Sequence, residues 1–377
     1  MKKKKRNKFK KILIVVILLI IVIILSLLNF GVLDDEINKY KLGKLNYSKE
    51  TIDFFDKKDL TIPIIKYNKY SKTLEVAISS NNYIDRYFNN YLNIIYVDDE
   101  DFIVNINKLM DMGYSFSDVN KIYEKLEKKY IQVVTSSEYI GDIQKYLDLS
   151  YFVNDNLERY ITYHKKMKDL GYEDVVTYVN IGLDKDYYTD VNDISNPDDL
   201  LVLCNKYNKL SSSYVPNDLV KVDSNYSTKS NTLKKEVYEA FLKLADAAKL
   251  DNLKLLVGSG YRSYQYQSGL YNSYVARDGV IEADTYSARA GYSEHQTGLA
   301  IDVADGDKKY LDEDSAEYEW LVNNAYKYGF IIRYTKNKEA VTGYQFEPWH
   351  IRYVGVNVAT YINSNNLTFD EYMARIK

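Results

Sequence analysis

Three histidines, His164, His295 and His350, occur in 377 residues, and two of them stand in short segments dense in other reactive side chains. In Ser293-Glu294-His295-Gln296-Thr297-Gly298-Leu299-Ala300-Ile301-Asp302, an imidazole precedes a carboxylate by seven residues, with a glycine between them to allow a turn. In Glu347-Pro348-Trp349-His350, a carboxylate stands three residues before an imidazole, so one can bind a metal while the other works beside it. Two histidines and one aspartate make a three-ligand set that leaves a fourth position for water, as catalytic rather than structural zinc requires. Such a water loses a proton near neutral pH. Residue types alone leave plainer readings open: hydrogen-bonded histidines, a capping or ion-pairing Asp302, a turn residue at Glu347. His164, between Tyr163 and Lys165, has no such carboxylate pattern around it and reads as a surface or packing residue.

The surrounding pattern supplies elements able to position these groups. Leu299, Ile301 and Val303 alternate as in a strand, which sends Ala300 and Asp302 to the opposite face. His350 and Arg352 share one face of a further strand, and Leu253, Leu255 and Val257 alternate ahead of Gly258-Ser259-Gly260. Leu233, Val237, Phe241, Leu244 and Ala248 recur at helical intervals, as do Leu321, Ala325 and Tyr328 before Gly329. The expectation is an α+β domain over residues 211–377, a small antiparallel sheet flanked by helices, with its boundary between Ser211 and Asp223.

Residues 34–210 are polar, rich in tyrosine and nearly free of glycine and proline, so they read as short helices forming a stalk or spacer. A weak echo recurs at Leu42–Ser48, Leu109–Ser115 and Met167–Tyr172, where helices are expected to stop at Asn46, Gly113 and Gly171 in the left-handed conformation. The 40 tyrosines read as compositional bias, with stacking on carbohydrate as the alternative.

Residues 1–11 carry eight Lys or Arg and no acid, which leaves 42 basic against 53 acidic residues in the remainder. An acidic body has no basic stripe for nucleic acid, so nucleic acid is not an expected partner. Cys204 is the sole cysteine, which excludes an intrachain disulfide, a Cys-based zinc site and a lipidated cysteine after the apolar run; it reads as a small buried hydrophobe. From Ile12 to Leu28 the chain is Ile, Leu and Val broken only by Ser26, long enough at ~1.5 Å per residue to cross a ~30 Å hydrocarbon layer. The stretch is too long for a signal-peptide core and lacks a small-x-small cleavage pattern. A single anchor over residues 12–33 is therefore expected, with the basic residues 1–11 in the cytoplasm and the rest exported.

Three blocks, Ser259-Gly260-Tyr261-Arg262-Ser263 followed by Gln267, the SxHxxGxAxD pattern from Ser293 to Asp302, and Glu347-Pro348-Trp349-His350-Ile351-Arg352-Tyr353, carry a family likeness. From about Ser213 onward the chain resembles the VanY-type D-alanyl-D-alanine carboxypeptidases, zinc peptidases related to lysostaphin and the hedgehog signalling domain. The resemblance implies His295, Asp302 and His350 as Zn2+ ligands and Glu347 as general base. It further implies Arg262 as the group that stabilises the oxyanion, and Gln267 and Ser293 as residues lining the substrate site. The expected activity is D,D-carboxypeptidase action on peptidoglycan stem peptides outside the membrane. L,D-cleavage of tetrapeptide stems and a non-catalytic, zinc-containing wall-binding module are the alternatives.

Overall fold

The computed structural model describes every residue except Met1, Phe30 and Lys377. Met1 belongs to the expected basic segment and Phe30 to the expected anchor, so those two positions lie outside the described residues. The N-terminal helix, Lys2–Asn29, holds the one window among the described residues long and apolar enough to cross a membrane, Phe9–Ser26, with mean hydropathy 3.0. The side chains from Ile12 to Leu25 are exposed rather than packed against protein. The chain divides into two compact units, Met1–Leu147 and Asp148–Lys377.

In the first unit, short helices run from Val32–Lys44 to Ile143–Leu147. Ser48 and Ser71 cap helix N-termini, and Ser115 forms a capping box with Asp118, each satisfying amide groups left without intrahelical partners. Asn46 (φ 72°) and Gly113 (φ 112°) take up the left-handed conformation expected of them.

The tyrosines do structural work at the junctions between helices. Tyr47 Oη accepts from Ser71 N at 3.0 Å, and Tyr114 Oη accepts from Ile140 N at 2.9 Å. Further along, Tyr91 Oη accepts from Ile84 N, and Asn107 Nδ2 donates to Asn82 O at 2.7 Å. The C-terminal unit repeats that second arrangement, with Tyr160 Oη accepting from Val153 N and Asn180 Nδ2 donating to Tyr151 O at 2.9 Å. Both arrangements return after about 70 residues; the first falls within the echo at Leu42–Ser48 and Leu109–Ser115, and the second lies outside it. Each ring is buried while its hydroxyl serves a loop amide that no helix can satisfy.

The C-terminal unit begins at Asp148, well before the expected boundary near residue 211. The helix Tyr172–Ile181 packs on the last helix, Phe369–Arg375, where Asn180 Nδ2 donates to Ala374 O and Arg375 Nε donates to Thr177 Oγ1. Gly171 departs from expectation: it is extended (φ −71°, ψ 161°) and begins that helix, because the preceding one has already ended at Lys166. Helices expected as far as residue 210 stop at Ile181, where Gly182 turns left-handed (φ 108°). Residues 183–218 hold no helix and form a strap. His164 packs edge-on against Tyr172.

The sheet comprises β1 (Leu256–Ser259), β2 (Ala300–Ala304), β3 (Phe330–Ile332) and β4 (His350–Tyr353), in the spatial order β1-β2-β4-β3 with every neighbour antiparallel. β2 and β4 are buried along their whole length. Leu299, Ile301, Val303 and Ile351 join Val237, Phe241, Leu244 and Ala248 of the helix Lys235–Leu250 in one core. The opposite face of β2 and β4 is left to Asp302, His350 and Arg352. Two expectations shift: Leu233 belongs to a ribbon pairing Leu219–Lys221 with Thr232–Lys234, and Leu253 and Leu255 precede β1. Arg352, fully buried, donates through Nη2 to Leu200 O and Val202 O and ties the strap to the sheet. Cys204 is buried, its Sγ 3.5 Å from Gly291 O.

A Cβ added at Gly260 would lie 2.4 Å from Thr232 O, so Gly260→Ala should destabilise the chain by about 2–3 kcal/mol through forced backbone displacement, read by thermal unfolding. Asn107→Ala should cost about 1–3 kcal/mol in chemical denaturation, because it leaves the Asn82 carbonyl without its Asn107 donor and the Tyr91 hydroxyl proton without its acceptor.

Candidate active site

The register between β2 and β4 places Asp302 directly opposite His350. A register shift between Val257 and Ser259 brings Ser259 opposite Asp302 from the other side. His295 arrives on a single 3-10 turn, Glu294–Thr297, which Gly298 (φ 70°) ends just ahead of β2. A side chain at Gly298 would be strained by that φ and crowded by Lys234 and Leu219. Arg262 N donates to His295 O at 3.1 Å and fastens the turn to the loop after β1.

Ligand-capable atoms of His295, Asp302 and His350 all lie within 4.8 Å of one another, and all three residues are buried. His295 Nδ1 is 2.7 Å from Gly260 O. A carbonyl can only accept, so Nδ1 carries the proton and Nε2 presents a lone pair. That lone pair has no hydrogen-bond partner and points at Asp302 Oδ1, 3.2 Å away. His350 Nδ1 stands 3.4 Å from the same oxygen and 3.2 Å from Glu347 Oε2. Acceptor thus faces acceptor inside a buried cluster, an arrangement that a cation between them resolves. Two imidazole nitrogens and one carboxylate oxygen suit a zinc ion with a fourth position open.

Protonation tendencies agree with that geometry. Burial, and then the nearby Arg262, push His295 down to about 4. Burial opposes ionisation of Asp302, yet His295 and Arg262 hold its carboxyl well below the usual range. Burial also works against charge on His350, but Glu294, Glu347 and Asp302 together raise it to about 9. Glu347 is raised by burial, against the pull of His350.

Arg262 donates from Nε to Ser259 Oγ at 3.0 Å, reaches Gln267 Oε1 at 3.4 Å and pairs with Asp302 Oδ2. Gln267 is buried and donates to Ala288 O at 2.7 Å, which holds the amide at the cavity wall. Ser293 is buried and lines the same cavity, as do all the other site residues expected from the sequence. The cavity measures about 600 Å³, and its walls include Tyr266, Tyr274, Tyr310, Phe346 and Trp349.

Sequence reasoning passed over several buried polar residues. Tyr334 lies edge-on to the His350 ring, with centroids 4.9 Å apart. Glu294 is fully buried, held ionised against the cost of burial by Arg333 and Arg352. Glu294 sat inside a motif already singled out, but Arg333 and Asp370 lie in stretches with no local pattern, so only their burial exposes them.

The family described as VanY, D-alanyl-D-alanine carboxypeptidase, matches residues 230–356. The putative carboxypeptidase YodJ of Bacillus subtilis (strain 168) is 40% identical over 209 residues, which cover 52% of this chain and 77% of that protein. A D-alanyl-D-alanine carboxypeptidase of Enterococcus faecium is 39% identical over 146 residues, covering 38% of this chain and 45% of its own. Among solved structures, the LdcB LD-carboxypeptidase is 40% identical and covers 50% of this chain and 92% of its own, with a TM-score of 0.47. On the matched blocks and on the extent of the likeness to the Bacillus protein, this chain belongs to the VanY D-alanyl-D-alanine carboxypeptidase family.

Proposed function

We propose that this chain is a zinc carboxypeptidase that removes the last residue of peptidoglycan stem peptides outside the membrane, with the D-Ala-D-Ala bond as its first substrate. One observation carries the reading: ligand atoms of His295, Asp302 and His350 converge around one point in a cavity that Glu347 also lines. Zinc held there supplies a Lewis acid for the scissile carbonyl and lowers the pKa of a water toward neutrality. Glu347 takes the proton from the attacking water and delivers it to the departing amine, a two-way role suited to a carboxyl whose pKa burial has raised. Arg262 donates to the oxygen that gains charge as the carbonyl becomes tetrahedral, a contribution often worth about 3 kcal/mol. Gln267 and Ser293 line the part of the cavity that holds the peptide terminus. Gly260 O, 2.7 Å from His295 Nδ1, orients that ring, and the second nitrogen of His350 faces Glu294 Oε2 at 3.7 Å.

The helix Lys2–Asn29 anchors the chain with residues 1–11 in the cytoplasm, and the helical segment after it acts as a spacer. A second reading, L,D-cleavage of tetrapeptide stems, is favoured by the cavity of about 600 Å³, which has room for a long side chain before the scissile bond.

Incubating the exported part with a synthetic pentapeptide and a tetrapeptide should release a single C-terminal D-alanine from the preferred one, and a chelator should stop release. Mass analysis of the products distinguishes the two bonds; no release from either peptide would overturn the proposal. Glu347→Ala should lower kcat by about 10²–10⁴ while elemental analysis still finds zinc. His295→Ala and His350→Ala should instead lose the metal, and full zinc occupancy in both would refute the ligand set.

A further inference from the structure

A buried ionic chain runs away from the metal cluster on the side opposite Glu347. Glu294 Oε1 accepts from Arg333 Nε at 2.8 Å and stands 3.3 Å from Arg352 Nη1. Arg333 Nη1 donates to Asp370 Oδ2 at 2.7 Å, and Asp370 Oδ1 accepts from Asn205 Nδ2 at 2.8 Å. Arg333, Arg352, Glu294 and Asp370 are each at most 2% exposed. The remaining oxygen, Glu294 Oε2, lies 3.7 Å from His350 Nε2. Both atoms are buried, and neither has a hydrogen-bond partner.

Four charges withdrawn from water are a poor source of stability, since apolar packing of similar volume usually does as well. They are a good way to hold one carboxylate in one place. With a metal bound at Nδ1, the nitrogen that faces Asp302 and Glu347, the proton of a neutral His350 would sit on Nε2, and Glu294 Oε2, 3.7 Å away and outside hydrogen-bond contact in this structure, is the acceptor that faces it. His295 is fixed likewise, by Gly260 O on its Nδ1. The two rings therefore present opposite nitrogens to the same point, His295 its Nε2 and His350 its Nδ1. Glu294 does not do this unaided: Arg333 Nε at 2.8 Å and Arg352 Nη1 at 3.3 Å both hold its Oε1 and so aim Oε2 at His350.

We propose that Glu294, Arg333 and Asp370 are positioning residues that fix the ring orientation and tautomer of His350 for the metal. The metal site is then completed from beyond the family-matched residues 230–356, by Asp370 on the last helix and Asn205 on the strap. This rests on the zinc reading above.

The test uses the full chain in detergent. Glu294→Asp keeps the charge that Arg333 and Arg352 require but shortens the reach to His350; Asp370→Asn loosens Arg333 from the far end. Zinc affinity by chelator competition should fall about 10–100-fold in Glu294→Asp and by a smaller factor in Asp370→Asn. With only three histidines in the chain, ¹⁵N imidazole spectra of the zinc-loaded protein can be assigned, and His350 should carry its proton on Nε2 in the wild type and lose that preference in Glu294→Asp. A merely structural role would lower the unfolding midpoint of the metal-free variants and leave zinc affinity and tautomer unchanged, which would overturn the proposal. So would a wild-type His350 protonated on Nδ1, a measurement that holds even if a variant fails to fold. Should the wild-type chain take up no zinc, the ligand set itself fails, a result distinct from zinc binding that ignores Glu294.

Discussion

The catalytic unit depends on one cross-strand pair, Asp302 on β2 facing His350 on β4. Antiparallel pairing holds such side chains within about 5.5 Å of each other with no further arrangement. The rest of the centre is built outward from this pair. β1 arrives with a register irregularity that sets Ser259 against Asp302, and Gly260 then approaches Thr232 so closely that no side chain fits. The carbonyl of Gly260 is thereby free to orient His295. Backbone geometry, rather than contact between side chains, brings the third candidate ligand into place.

Packing order follows electrostatic need. One face of β2 and β4 is apolar and sits on the helix Lys235–Leu250. The other carries a carboxylate, an imidazole and a guanidinium, none of which could be buried alone. Each is answered: Asp302 by Arg262, His350 by Glu294 and Glu347, Arg352 by Glu294 and two strap carbonyls. The strap and the last helix are therefore integral to this unit, although neither carries a recognisable motif.

The helical segments follow a different logic, in which tyrosine serves as both core and cap. A ring fills the space between short helices while its hydroxyl takes the amide exposed where one helix gives way to the next. The abundance of tyrosine, read from composition as bias, has a structural use at these four positions. The carbohydrate alternative draws no support from them, since the four rings are buried.

Local sequence determined a good deal. Strand alternation in Leu299–Val303 assigned Asp302 to the polar face, the spacing in the second block put Glu347 beside His350, and the left-handed stops at Asn46 and Gly113 followed from residue type. These features are legible because they depend on neighbours within one turn or one strand. Where the unit begins, how far the helices run past Gly171, and which distant groups stand behind His350 were decided only in three dimensions. Arg333, Asp370 and Asn205 have no sequence neighbours that mark them, and their significance comes wholly from loss of solvent. Burial turns an unremarkable arginine or aspartate into a group that must be paired, and burial is a property of the folded chain rather than of any stretch of it.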